Sequence, residues 1–205
     1  MVKYQTIKPG DIIVSSPHTN KGLIFSKSVI LIIAHDKNGT SGVIINKPLH
    51  VLHGEEILRS LQLPDSDQKD NITNPDANMS VCFGGPIEQD KGIILHSGDY
   101  KPRSAIEVAK DVYISTNSKL IKDIITNNGP KHKVLLLGYA SWSAGQLASE
   151  IKNNDWYVIL EKHKNKNPSP EFNLLFTEDY LFKWNTALEL AGINLNKYSG
   201  ISGNA

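Results

Sequence analysis

Val29-Ile30-Leu31-Ile32-Ile33-Ala34-His35-Asp36-Lys37-Asn38-Gly39-Thr40-Ser41-Gly42-Val43-Ile44-Ile45-Asn46-Lys47-Pro48 is the stretch that sets the fold class. Val29 to Ala34 is β-branched and lacks polar alternation, which predicts a strand buried on both faces. Asp36-Lys37-Asn38-Gly39 contains the Asn-Gly pair that readily takes positive φ, and Val43-Ile44-Ile45 supplies a returning strand, so the whole reads as a β-hairpin. Pro48 has no N–H for a ladder and closes the second strand.

Upstream, Ile12-Ile13-Val14 reads as a first strand after the turn Pro9-Gly10-Asp11. Downstream, Gly54 to Gln62 is expected to be a short helix, and Leu63 to Asn78 a polar surface insertion. Val81-Cys82-Phe83 and Ile93-Ile94-Leu95 read as two strands with Gly84-Gly85-Pro86 opening a tight connection. Val112-Tyr113-Ile114 then leads to a helix striped by Leu120, Ile121, Ile124 and Ile125, stopped at Asn128-Gly129-Pro130.

Val134 to Leu137 is a further buried strand, followed by a helix from Ala144 to Ile151. Ser143 and Gln146 stand at capping-box spacing before that helix. Trp156 to Leu160 reads as a strand and Lys162 to Pro170 as a polar loop. A last helix aligns Leu181, Trp184, Leu188 and Ala191, with Gly192 as its stop. The sum is a single α+β domain over residues 1–205, one mixed sheet flanked by helices.

Composition limits the function classes. The 40% hydrophobic and 21% charged residues match a globular core. With 22 basic against 21 acidic residues there is no basic excess, and nucleic acid is not expected as a partner. A single cysteine excludes an intramolecular disulfide and a Cys-rich zinc site. The N-terminus lacks a signal-peptide pattern and no apolar run is long enough for a bilayer, so no membrane association is expected and the cytoplasm is the default compartment.

Several clusters carry candidate chemistry, each with a plainer explanation. His50 and His53 would share a helix face, as a metal needs, but precede the expected helix and read as a solvated turn. Cys82 with His35 or His96 and Asn46 has the residue types of a cysteine triad, yet a strand cysteine usually acts as a small core hydrophobe. Gly138 to Ser143 reads as a strand-to-helix turn able to cradle an anion with backbone N–H groups. Lys162, His163, Lys164 and Lys166 form a basic cluster in a solvated loop.

Four separated blocks, Gly10 to Pro17, Ser28 to Pro48, Cys82 to Pro86 with Gly92 to His96, and Leu137 to Leu147 with Glu150, Ile151 and Trp156, resemble the YqgE/AlgH family of bacterial proteins. Later matches at Leu175-Phe176, Trp184, Ala187-Leu188 and Gly192-Ile193 extend the likeness. The resemblance implies an α+β fold with a bent, partly barrel-like sheet flanked by helices. It implies no agreed substrate, cofactor or catalytic residue, although some relatives have been discussed as transcriptional regulators. Ser141 and Ser143 stand where the family commonly has glycine, and Ala148 where it has an acidic residue.

The expectation is a non-enzymatic binding or regulatory protein with no cofactor, no metal and no catalytic residue, acting on protein partners or an unidentified small ligand. Contacts are assigned to His35, Asn46, Gly84, Gly85, Pro86, His96, Trp142 and Gln146. The alternative is a small-ligand-binding protein or enzyme with a polar pocket around His35, Asn46 and His96, which close apolar strands.

Overall fold

Ten strands form one continuous sheet that curls into a half-barrel, with four helices against its faces among the described residues. The structure is a computed structural model and describes residues 7–18, 22–53, 56, 78–159 and 168–195. In chain order the strands are β1 (Ile12–Ser15), β2 (Val29–Asp36), β3 (Gly39–Ile44), β4 (Pro48–His53), β5 (Asn78–Phe83), β6 (Ile87–Ser97), β7 (Ile106–Ala109), β8 (Val112–Ser115), β9 (Lys133–Ser143) and β10 (Trp156–Ile159). The helices are α1 (Ser118–Ile125), α2 (Gln146–Lys152), α3 (Pro170–Phe176) and α4 (Tyr180–Leu190).

The spatial order is β10-β1-β2-β3-β9-β6-β8-β7, with β5 joining β9 and β4 joining β5. Only the β5–β9 pair is parallel, so the sheet is mixed as expected. The β2–β3 hairpin forms with Asp36 opposite Gly39, and Asp36 Oδ1 accepts from the Asn38 and Gly39 N–H groups at 2.7 and 3.2 Å. Val29, Ile30, Leu31 and Ile32 are all 0% exposed. Full burial of such side chains contributes roughly 1.5–3 kcal/mol each, which makes β2 the strand that the other layers organise around.

Strand alternation then assigns each face its own core. Val14, Val29, Leu31, Val43 and Ile45 pack with Leu175, Trp184 and Leu188 of α3 and α4. Ile13, Ile30, Ile32 and Ile44 pack with Trp142, Leu147 and Trp156 on the α2 side. A third cluster sets Met79 and Ile94 against Leu120, Ile124 and Ile125 of α1.

Strand β9 joins the two halves of the sheet. Its first part pairs with β5 and β6, and its second part, from Ala140 to Ser143, pairs with β3. Between them Gly138 sits at φ +73°, and a Cβ there would come within 2.5 Å of the Gly85 carbonyl oxygen. Glycine is needed at this point because backbone packs on backbone and the conformation is left-handed. The same crossing explains Gly84 and Gly85, whose Cβ positions are filled by the Gly138 and Tyr139 backbone.

Several expectations change. Gly138 to Ser143 is strand, so the anion-cradling turn does not form; Ala140 to Ser143 pair with β3 and Tyr139 with Ile87 of β6. His50 and His53 lie on β4, where three-residue spacing sends them to opposite faces, and both are exposed. Gly84-Gly85-Pro86 is no hairpin turn: β5 and β6 lie on either side of β9.

The last helix buries Lys183, Trp184, Ala187 and Leu188, while Leu181 is 88% exposed. β7 and α3 were not anticipated. α3 starts at Pro170, with Ser169 Oγ accepting from the Phe172 N–H at 3.1 Å. The expected Gly54–Gln62 helix (apart from Glu56), the insertion up to residue 77 and the basic cluster of Lys162 to Lys166 lie outside the described residues.

Candidate functional site

The main core opens into a cleft of about 560 Å³ between the loop before β1, the ends of β6 and β9, the β7–β8 turn and α3. Its floor consists of Ile12, Val108, Val112, Ile159, Phe172 and Leu175. Five of these belong to the buried core and Phe172 packs against it, so the floor is held rigid by the same contacts that stabilise the fold. Around the floor, residues of both signs line the rim: Lys8 with Asp11 before β1, Lys110 with Asp111 in the β7–β8 turn, and Asp99 and Lys131 from two further segments. Glu171 and His132 complete the rim, and the His132 ring packs edge-on to Phe172 at 5.5 Å.

Short hydrogen bonds fix the rim. Asp11 Oδ2 accepts from the Lys8 N–H at 2.9 Å. Asp99 accepts from the Ser97 hydroxyl and, at 3.0 Å, from the Lys131 N–H. Ser97 Oγ in turn accepts from the His132 N–H at 3.1 Å. Burial pushes the Asp99 carboxyl upward, but these donors outweigh it and hold its pKa below the ordinary value, so it is ionised.

His96 stands behind this knot, fully buried on β6. Its Nδ1 lies 3.1 Å from the Ser97 carbonyl oxygen and its Nε2 lies 3.0 Å from Ser115 Oγ. A carbonyl only accepts, so Nδ1 carries the proton and Nε2 receives the Ser115 hydroxyl. Burial lowers the His96 pKa and favours this neutral form. Its ring stacks on Tyr113 at 5.9 Å.

The other residues singled out from sequence fall into distinct places. His35 is exposed and bonds Thr40 Oγ1 through Nδ1 at 2.8 Å. It shares a shallow depression with Trp142, whose strand partner is also Thr40. Asn46 pins the loop before β2, accepting from the Val29 N–H and donating to the Lys27 carbonyl, both at 2.8 Å. Lys47 donates to the Leu23 carbonyl of that loop at 3.0 Å.

Asn46 lies close to the Gly84–Pro86 segment, since the Phe83 N–H donates to the Lys47 carbonyl and the Ile44 N–H to that of Gly84. The three polar residues His35, Asn46 and His96 do not converge. His35 sits by the β2–β3 turn and Asn46 at the hairpin's opposite end. His96 pairs with Lys133, nine residues along β9 from Trp142.

Trp142 and Gln146 are brought together by a buried carboxylate. Glu150 Oε2 accepts from Trp142 Nε1 at 3.0 Å and Trp156 Nε1 at 2.8 Å, and its Oε1 accepts from Gln146 Nε2 at 3.1 Å. Gln146 Oε1 also accepts from the Ser143 N–H at 3.0 Å, which is the reach-back half of the expected capping box. The Ser143 hydroxyl makes no cap; the cap position is Gly145 at φ +77°.

Among the described residues, Cys82 does not meet a histidine. Burial raises its thiol pKa, against a hydrogen bond from Tyr180 and the nearby Lys183 charge. Lys183 itself is 2% exposed, and its ammonium donates to the Ile45 and Leu175 carbonyls at 3.1 and 3.0 Å above the Tyr180 ring. Burial lowers its pKa to about 8. This lysine fastens α4 to the ends of β3 and α3, and through Leu175 it steadies one wall of the cleft. Sequence reading missed it because Lys183 lies beside Trp184 on a helix face counted as apolar without it. The cleft residues were missed because they come from six separate segments, of which sequence reading noted only a turn at Pro9-Gly10-Asp11, strand positions such as Ile12, Val112 and Ile159, and part of a polar loop.

Fold and site together define a one-domain α+β protein with a curled sheet and a small-molecule-sized cleft. The chain belongs to the AlgH-like family, whose model matches residues 12–196. It is 35% identical to a UPF0301 protein of Bartonella tribocorum over 185 residues, 90% of each chain. It is 32% identical to the YqgE protein of Shigella boydii, covering 89% of this chain and 91% of that one. The solution structure of AlgH from Pseudomonas aeruginosa superposes with a TM-score of 0.67 at 26% identity, covering 98% of this chain and 100% of that one. The family is one of uncharacterised proteins. Among the described residues, no helix is long and apolar enough to cross a membrane and no three ligand-type side chains group for a metal.

Proposed function

We propose that this protein is a non-catalytic binding or regulatory protein that takes a small ligand in the cleft beneath α3. The observation that carries this reading is the continuity between core and cleft. Ile12, Val112, Ile159 and Leu175 are packed interior residues that also line an opening about 560 Å³ in volume. That is the size range of small-molecule sites, and an apolar floor with a few placed polar groups is their usual composition. The polar residues elsewhere support a binding role over chemistry. His96, Asn46, Trp142 and Gln146 are each held by hydrogen bonds that tie strands, loops and helices together.

The test is a small-molecule fragment screen by ¹H–¹⁵N NMR, repeated on an Ala109→Trp variant that fills the cleft mouth. Fragment-induced shifts at Gly98, Lys110, Lys131 and Phe172, lost in the variant, are expected. Shifts confined to the His35–Ser141 depression would move the site there, and a cleft that answers to no fragment would refute the proposal.

A further inference from the structure

Resting on the cleft as the binding site, we infer that its ligand class is a short zwitterionic peptide with apolar side chains. The argument begins with the distribution of charge. Four segments supply the charged rim, and residues of both signs line it: Lys8 and Asp11 before β1, Lys110 and Asp111 in the β7–β8 turn, Asp99 after β6, and Lys131 before β9, whose backbone N–H bonds Asp99. A ligand of one charge meets repulsion from half of this rim wherever it settles. A ligand with an ammonium at one end and a carboxylate at the other has a partner for each, and electrostatic complementarity of this kind sets specificity more than raw affinity.

The carboxylates are also oriented. Asp99 is fixed by the Ser97 hydroxyl and the Lys131 N–H, and Asp11 by the Lys8 N–H. An arriving ammonium therefore finds Asp11 and Asp99 already oriented, which lowers the ordering cost of binding.

The floor supplies the second criterion. Val108, Val112, Ile159 and Leu175 offer a continuous apolar surface between the charged segments, as apolar side chains on a short backbone require. The volume supplies the third, because about 560 Å³ is drug-sized and fits a peptide of two or three residues better than one free amino acid.

The experiment titrates the ¹⁵N-labelled full-length protein with Leu-Leu-Leu bearing free termini. The same peptide acetylated and amidated, decanoate and decylamine are titrated in parallel. The free tripeptide is expected to shift the Gly98, Lys110, Lys131 and Phe172 resonances with at least tenfold higher affinity than the capped peptide. Lys131→Ala, a surface change, is expected to narrow that ratio by weakening the free peptide alone.

Equal binding of capped and free peptides, or tighter binding of decanoate or decylamine, overturns the zwitterion inference and leaves the cleft reading standing. Failure of all four compounds, together with a blank fragment screen, overturns both. Failure of all four beside cleft-directed fragment hits overturns this inference alone.

Discussion

Replacing Lys183 with methionine tests an unusual energetic feature of the protein, a buried ammonium bonded to two backbone carbonyls and, among the described residues, to no carboxylate. Burial lowers its pKa from 10.5 to about 8, and that interval corresponds to about 3 kcal/mol. Below pH 8 the amine is charged in both folded and unfolded chains, so the full desolvation penalty is present. Between pH 8 and 10.5 the folded protein gives up the proton while the unfolded chain keeps it, and stability from this group rises with pH.

Methionine removes that penalty at neutral pH but leaves the Ile45 and Leu175 carbonyls without their donor, at roughly 1–3 kcal/mol each. The variant is therefore expected to be similar to or somewhat less stable than the parent at pH 7. It should fall behind by up to a further 3 kcal/mol, approximately, by pH 10.5. Urea unfolding at pH 7, 8, 9 and 10, with both proteins in a Cys82→Ala background so that the neighbouring thiol does not titrate, gives the difference directly. A gap that stays flat within about 0.5 kcal/mol across that range would refute the assignment of Lys183 as a buried, perturbed amine.

Glu150→Ala strands two buried indole N–H donors and is expected to cost about 3 kcal/mol, with a red shift of tryptophan emission; unchanged thermal stability would show that the carboxylate does not organise Trp142 and Trp156. Burial also lowers the pKa of His96 in the folded protein, so as pH falls through 6.5 the unfolded chain binds the proton first and stability drops. His96→Gln should flatten that acid limb between pH 6.5 and 5, and an identical slope in parent and variant would exclude His96 as its source.

The hairpin was legible because its signals are local: an uninterrupted β-branched run and an Asn-Gly turn each act within a few residues, whereas Pro48, read as the stop of the second strand, instead opens β4 opposite Cys82. The same local logic found the α1 stripe and the Asn128-Gly129-Pro130 stop. β9 was half-read, because Gly138 looks like a terminator when its real task is to let one strand bend past Gly85.

β7 and α3 were missed for a different reason. Four and seven residues respectively are too few to establish a period, and they form because neighbouring strands and the core supply partners. At the site level, Asn46, Trp142 and Gln146 stood out because each makes specific hydrogen bonds. Sequence cannot separate a side chain that bonds the chain itself from one that bonds a ligand. The cleft leaves no local trace, since its rim is ordinary lysine and aspartate until folding gathers them.

Strand β9 belongs at once to both halves of the sheet, and this has an evolutionary consequence. An insertion or deletion of one residue in most strands can be absorbed at a nearby loop. Within β9 it would displace the pairing with β3 on one side of Gly138 relative to that with β5 and β6 on the other, reversing inside and outside for one whole half. Chain length between Lys133 and Ser143 is therefore expected to be the least negotiable interval in the protein, while substitutions within it, outside Gly138 and Trp142, are tolerated wherever they keep the alternation.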